Sequence, residues 1–175
     1  MNQASTNLLL TGPPGCGKTT VICRVIELVR DRRLAGFYTQ EICRKGQRVG
    51  FEAVGLHGQS ATLAHVDFHR AERVGRYSVD IGGFEAIVQQ ELGQADAEVD
   101  LFVIDEIGRM ECLSQGFVEA VTRTLDSPVP LLATIAAKGG GFIVQVKARS
   151  DVEIVAVTAE NRDWLANELA DRIPA

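Results

Sequence analysis

The chain lacks the features that would send its function elsewhere. It has four cysteines, Cys16, Cys23, Cys43 and Cys112, but no C-x-x-C pair. Their scatter argues against both a structural zinc site and a disulfide framework, and suits free thiols in a reducing compartment. No apolar run approaches the roughly 18 residues needed to span a bilayer. The N-terminal stretch Met1–Asn7 lacks the basic start of a signal peptide, so the expected location is cytoplasmic. No run of basic residues is present, and the net charge of -5 repels phosphate backbones, which disfavours nucleic acid as the main ligand. Repeats, low-complexity tracts and linkers are also missing.

What remains is an ordinary globular composition: 175 residues, 46% of them apolar and 23% charged. That suits one domain with its own core, expected to span 1–175. Short apolar strands, Leu8–Leu10, Leu101–Ile104, Pro130–Ile135 and Ile154–Val157, alternate with helical patterns. The helical segments are Lys18 to about Arg30, Phe84–Leu92, Phe117–Leu125, a short one near Phe142–Ala148, and Glu160–Ile173 with Thr158 as N-cap. This rhythm predicts a three-layer α/β fold whose mainly parallel sheet is covered on both faces. Ala35–Gly55, turning at Arg44-Lys45-Gly46-Gln47, reads as an antiparallel edge hairpin, with a further strand near Ala61–Val66.

The chemistry is concentrated at the end of the first strand. Gly12-Pro13-Pro14-Gly15-Cys16-Gly17-Lys18-Thr19 matches G-x-x-x-x-G-K-[ST] at every fixed position, between a strand and a helix. Glycines let successive backbone N–H groups converge on phosphates, and the positive end of the following helix dipole faces the same anion. Lys18 is expected to reach the β- and γ-phosphates, and the Thr19 hydroxyl to ligate Mg²⁺, with Thr20 completing the nucleotide-binding segment. A dinucleotide fingerprint is excluded, because Thr20 stands where the third glycine would be needed.

A second acid site follows from Leu101-Phe102-Val103-Ile104-Asp105-Glu106, an apolar strand that delivers acids to the crevice at its carboxyl end. Asp105 is the expected partner of Thr19 on Mg²⁺, and Glu106 the group that polarises an attacking water. Transition-state charge on the γ-phosphate calls for a cation, and Arg109 and Arg149 are the two candidates. Arg162 is a candidate to stack on the base. The N-K-x-D element that reads guanine is absent, so weak base discrimination is expected. His65 and His69 lie in a strand-to-loop region, where four-residue spacing does not bring side chains together, and they are read as no metal pair. Cys16 inside the phosphate loop is read as steric filler, and Trp164 as core or rim.

Four segments carry a resemblance to a known family: Pro14–Thr20; Gly36-Phe37-Tyr38-Thr39-Gln40-Glu41-Ile42 with Arg48-Val49-Gly50-Phe51; Asp105-Glu106-Ile107-Gly108-Arg109-Met110-Glu111; and Thr158-Ala159-Glu160-Asn161-Arg162. On these the chain, from Leu8 to about Ile173, resembles the THEP-type, or cancer-related, nucleoside-triphosphatase family. The resemblance implies a RecA-like variation of the P-loop NTPase fold. It also implies slow Mg²⁺-dependent hydrolysis of ATP, GTP and other nucleoside triphosphates to diphosphates. The chain departs from the family pattern at Gln40-Glu41-Ile42-Cys43, where Glu-Glu-Val-Arg is expected, so a role for that arginine does not transfer and Arg44 or Arg48 is the substitute charge. It departs again at Thr134-Ile135-Ala136, in place of Thr-Ile-Pro, ahead of the loose loop Gly139-Gly140-Gly141. Two other functions share the same loop and metal: a small nucleoside or metabolite kinase with Lys138–Arg149 as lid, and a non-catalytic switch that orders the hairpin for a partner.

Overall fold

A computed structural model describes residues 7–93 and 98–173. Apart from Asn7, the stretch read as lacking a signal-peptide start lies outside these residues. Among the described residues nine strands form one sheet: β1 (Asn7–Thr11), β2 (Leu34–Arg44), β3 (Gln47–Gly55), β4 (Ser60–His65), β5 (Arg73–Val74), β6 (Tyr77–Val79), β7 (Leu101–Ile107), β8 (Leu131–Ile135) and β9 (Val152–Ala156). The helices are α1 (Lys18–Leu28), α2 (Ile81–Leu92), α3 (Gln115–Asp126), α4 (Phe142–Lys147) and α5 (Leu165–Arg172). Strand order is β5-β6-β4-β3-β2-β7-β8-β1-β9. The five strands from β2 to β9 in that order run parallel, and the rest are antiparallel.

Side-chain alternation along each parallel strand builds the two faces. Leu8, Leu10, Leu101 and Val103 point into a core closed by Val21, Ile22 and Val25 of α1 and Leu165 and Leu169 of α5. Leu9, Phe102 and Ile104 point the other way, against Phe84 and Ile87 of α2, Phe117 and Val121 of α3 and Ile143 of α4. Phe37, Phe84 and Phe117 meet there at edge-on and tilted angles, with ring centroids 5.4 to 6.1 Å apart. This is the three-layer arrangement that the alternating pattern implied.

Strand β2 joins the two halves of the sheet. Leu34–Phe37 lies parallel to Leu101–Ile104 of β7, whereas Phe37–Arg44 pairs antiparallel with β3. Gly36 makes the first pairing possible, because a Cβ there would stand 1.8 Å from the Val103 carbonyl oxygen. The antiparallel half extends further than a hairpin, through β4, β6 and β5. The last two are three and two residues long, too short for any periodicity to register.

Two helix boundaries differ from expectation for identifiable reasons. Helix α2 starts at Ile81 and takes in Gly82 and Gly83, since burial of Phe84, Ile87, Val88 and Leu92 outweighs glycine's poor helix propensity. Helix α5 starts at Leu165, and Thr158 is not its N-cap. Asn161 diverts the chain before it: its Oδ1 accepts the Thr158 N–H at 2.9 Å and its Nδ2 donates to the Ala156 carbonyl at 2.8 Å, holding a turn. Among the described residues no helix is long and apolar enough to cross a membrane.

Candidate active site

The loop from Gly12 to Gly17 leaves the carboxyl end of β1 and turns directly into α1. Gly12, Gly15 and Gly17 adopt φ of 157°, 77° and 107°, a left-handed region where other residues are strained. Pro13, Pro14 and Gly15 are exposed, while Cys16, Gly17, Lys18 and Thr19 are half-buried and Thr20 is exposed at the first turn. The Cys16 N–H donates to the Pro13 carbonyl at 3.2 Å. Lys18 Nζ donates to the Gly12 and Pro13 carbonyls at 3.0 and 3.3 Å, so its ammonium group sits inside the loop.

Strand β8 separates β1 from β7, which puts the phosphate loop and the acids of β7 about 10 Å apart in backbone terms. Side chains close that gap. Thr19 Oγ1 donates to Asp105 Oδ2 at 2.7 Å, and from β8 Thr134 Oγ1 donates to Asp105 Oδ1 at 2.5 Å. The Thr39 N–H of β2 is a third donor. Asp105 is 1% exposed. Burial pushes its pKa up, while the bonds from Thr134, Thr19 and Thr39 and the charge of Lys18 pull it down. The β7–β8 register breaks between Ile104 and Ile107, where Asp105 and Glu106 leave the ladder. Glu106 is half-buried, and its pKa is raised by burial and by Asp105 against the opposing charge of Lys18.

Each oxygen donor here is hard: a threonine hydroxyl and a carboxylate joined by one hydrogen bond, beside a phosphate loop. This fits Mg²⁺, which takes one or two protein oxygens and fills its octahedron with water and phosphate. Among the described residues no group of three or more His, Cys, Asp or Glu is placed to hold a metal ion.

The arginines divide. Arg109 is exposed on the turn after β7 and makes no ion pair among the described residues. Arg162 is exposed beside the loop, its Cδ 3.4 Å from the position a Gly17 Cβ would take. With Gly17, Thr20, Arg24 and Asp163 it lines a cleft of about 210 Å³ at the start of α1. Arg149 is a correction. Its guanidinium bonds Asp126 at 2.8 Å and Asp151 at 2.7 Å, at the end of the sheet where β9 starts beside Asn7. That is a strand length, about 16 Å, from the phosphate loop, so Arg149 anchors the scaffold and leaves the candidate site. Trp164 is 53% exposed, a rim position.

Sequence reasoning passed over Thr134, Thr39 and Glu111. The signal for Thr134 was a lone hydroxyl in an otherwise apolar strand, Leu131-Leu132-Ala133-Thr134-Ile135. Glu111, 6% exposed in a short 3-10 turn after β7, is the other buried acid of this end of the sheet.

Comparison with known proteins agrees with this geometry. The NTPase family model matches residues 7–170. Nucleoside-triphosphatase THEP1 of Natranaerobius thermophilus is 45% identical over 175 residues, covering 98% of each chain. The crystal structure of THEP1 from the hyperthermophile Aquifex aeolicus superimposes with a TM-score of 0.88 at 27% identity, over 97% of this chain and 99% of that one. The solution structure of a human cancer-related nucleoside triphosphatase gives 0.81 at 36% identity, over 95% and 96%. With that span and identity joined to the fold and the phosphate loop, the chain belongs to the NTPase family of nucleoside-triphosphatases.

Proposed function

We propose that this chain, as a single P-loop domain, hydrolyses nucleoside triphosphates to diphosphate and phosphate with Mg²⁺, accepting more than one base. The observation that carries the reading is the 2.7 Å bond from Thr19 to Asp105, which joins the end of the phosphate loop to the acid of β7. Loop N–H groups from Gly12 to Thr20, other than at Pro13 and Pro14, which have none, and the Lys18 ammonium would pair with the β- and γ-phosphate oxygens. Thr19 and Asp105 would hold Mg²⁺, which when bound supplies charge neutralisation across those oxygens. Glu106 would orient a water in line with the γ-phosphorus and take its proton as the new P–O bond forms and the bond to the β-phosphate oxygen breaks. Arg109 is the cation proposed for the developing charge. Arg162, at the cleft beside Gly17 and Thr20, is proposed to stack on the base. Free nucleotide in the cytoplasm, with no nucleic acid or membrane, is the proposed ligand setting.

The test follows γ-labelled ATP with Mg²⁺. Label is expected as free phosphate, and Glu106→Gln is expected to slow its release by about 10²-fold or more while nucleotide affinity holds. Label passing to an added acceptor far faster than to water would overturn hydrolysis. Unchanged turnover in Glu106→Gln would remove Glu106 from the mechanism.

A further inference from the structure

The antiparallel half of the sheet gathers positive charge that its own acids do not neutralise. Arg48 lies at the start of β3, Arg73 in β5 and Arg76 in the turn from β5 to β6, and all three are exposed. Tyr77, 7% exposed, holds two of them. Arg48 Nε donates to the Tyr77 hydroxyl oxygen at 3.1 Å, and Arg76 Nη2 donates to the same oxygen at 3.2 Å. Aromatic rings fix the pair. The Arg48 guanidinium carbon lies 5.0 Å from the Phe51 ring centroid and that of Arg76 5.2 Å from the Tyr77 centroid, while the two rings meet edge-on at 5.2 Å. Arg76 also donates to the Arg48 carbonyl, and Arg73 to the Arg76 carbonyl at 3.3 Å, which brings a third cation to the same turn.

One carboxylate answers these charges: Arg48 bonds Glu41 at 2.8 Å. The other arginine ion pairs of this half among the described residues, Arg44–Asp67 and Arg70–Asp80, include neither Arg73 nor Arg76. Two guanidinium groups held at one oxygen repel each other, a cost that a lone solvated arginine does not carry. With both lone pairs of its oxygen taken by guanidinium N–H groups, the Tyr77 O–H finds no acceptor among the described residues. Burial would raise the Tyr77 pKa, yet the bonds from Arg48 and Arg76 and their charges bring it below its ordinary value, the mark of a locally positive site.

We propose that this cluster is an anion site, separate from the phosphate loop, which takes the phosphate group of a small phosphomonoester, or free phosphate, between the Arg48 and Arg76 guanidinium groups and the Tyr77 hydroxyl. A phosphate group offers three oxygens to donors arriving from three directions, where a carboxylate offers two. Its near-double negative charge also matches three arginines set against one glutamate. Arg48 pairs with Cys43, four residues beyond Thr39 on β2, so about 13 Å of strand separates the cluster from the strand position that meets Asp105. The inference stands apart from the hydrolysis reading.

The test titrates inorganic phosphate and ribose 5-phosphate into the intact ¹⁵N-labelled protein and follows the arginine Nε–H cross-peaks. Saturable shifts at Arg48 and Arg76 are expected, with a Kd on the order of 1 mM. Arg76→Gln and Tyr77→Phe, each checked for folding by its backbone amide spectrum, are expected to weaken binding about tenfold or more. Should one of them fail to fold, the other decides. Lys18→Ala, which disables the phosphate loop, is expected to leave these shifts in place. Tighter binding of ribose 5-phosphate identifies a monoester as the ligand, and tighter binding of inorganic phosphate identifies the free ion. No saturable shift at Arg48 and Arg76 up to about 50 mM of either probe overturns the inference. Wild-type affinity in the folded variants, or shifts that vanish in Lys18→Ala, overturns it equally.

Discussion

Thr134→Val isolates one bond at the centre of the site. Thr134 is fully buried, and its hydroxyl donates to Asp105 Oδ1 at 2.5 Å. Valine keeps nearly the same volume, so no cavity is opened, and the change is the loss of a donor to a buried carboxyl. A hydrogen bond to a charged group contributes about 1.5–3 kcal/mol, against roughly 1 kcal/mol for a neutral pair. The cost therefore depends on the charge of Asp105. Burial already raises the folded-state pKa of Asp105, and the Thr134 bond is the largest effect opposing that rise. Between the unfolded and folded pKa values the unfolded chain gives up this proton more readily, so stability falls as pH rises through that window. Removing the Thr134 bond lifts the folded value further and extends the falling window upward. Urea unfolding of wild type and variant at pH 5 and pH 8 is expected to show a loss of about 1 kcal/mol at the lower pH and about 2 kcal/mol or more at the higher. In parallel, the acid limb of Mg²⁺-dependent turnover is expected to move to higher pH. An equal loss at both pH values with an unmoved acid limb would refute the reasoning.

Arg149→Ala is expected to cost stability, about 1 kcal/mol or more after allowance for partial exposure, because it releases Asp126 and Asp151; kcat for ATP should stay near wild type, and a loss of turnover in fully folded protein would return Arg149 to the site. Alkylation of Cys16, half-buried within the phosphate loop, is expected to block nucleotide entry; modified protein that binds ATP normally by equilibrium titration would contradict the loop's role.

The phosphate loop and Asp105 were legible because their chemistry is local. Gly12 to Thr19 carries its spacing in eight consecutive residues, and Asp105 announces itself at the end of an apolar strand. Thr134 was not legible, since its meeting with Asp105 depends on β8 lying beside β7 with Ala133 opposite Ile104, a register no sequence spacing encodes. Arg149 was misread for the complementary reason. Its position after a glycine loop suggested a lid, but Asp126, 23 residues earlier, and Asp151 claim its charge in space. The start of α5 was placed too early because Asn161, an ordinary residue in a helical pattern, spends both side-chain atoms on the backbone turn before it. Local chemistry reads directly from the chain, and chemistry assembled across the sheet waits for the register.

The most direct measurement is calorimetric titration of nucleoside triphosphate into the protein with and without Mg²⁺, beside Lys18→Ala and Asp105→Asn. Binding strengthened by Mg²⁺, lost with Lys18→Ala and no longer strengthened in Asp105→Asn, is the predicted result. Absence of any Mg²⁺-assisted affinity for every triphosphate tried would contradict the account at its base.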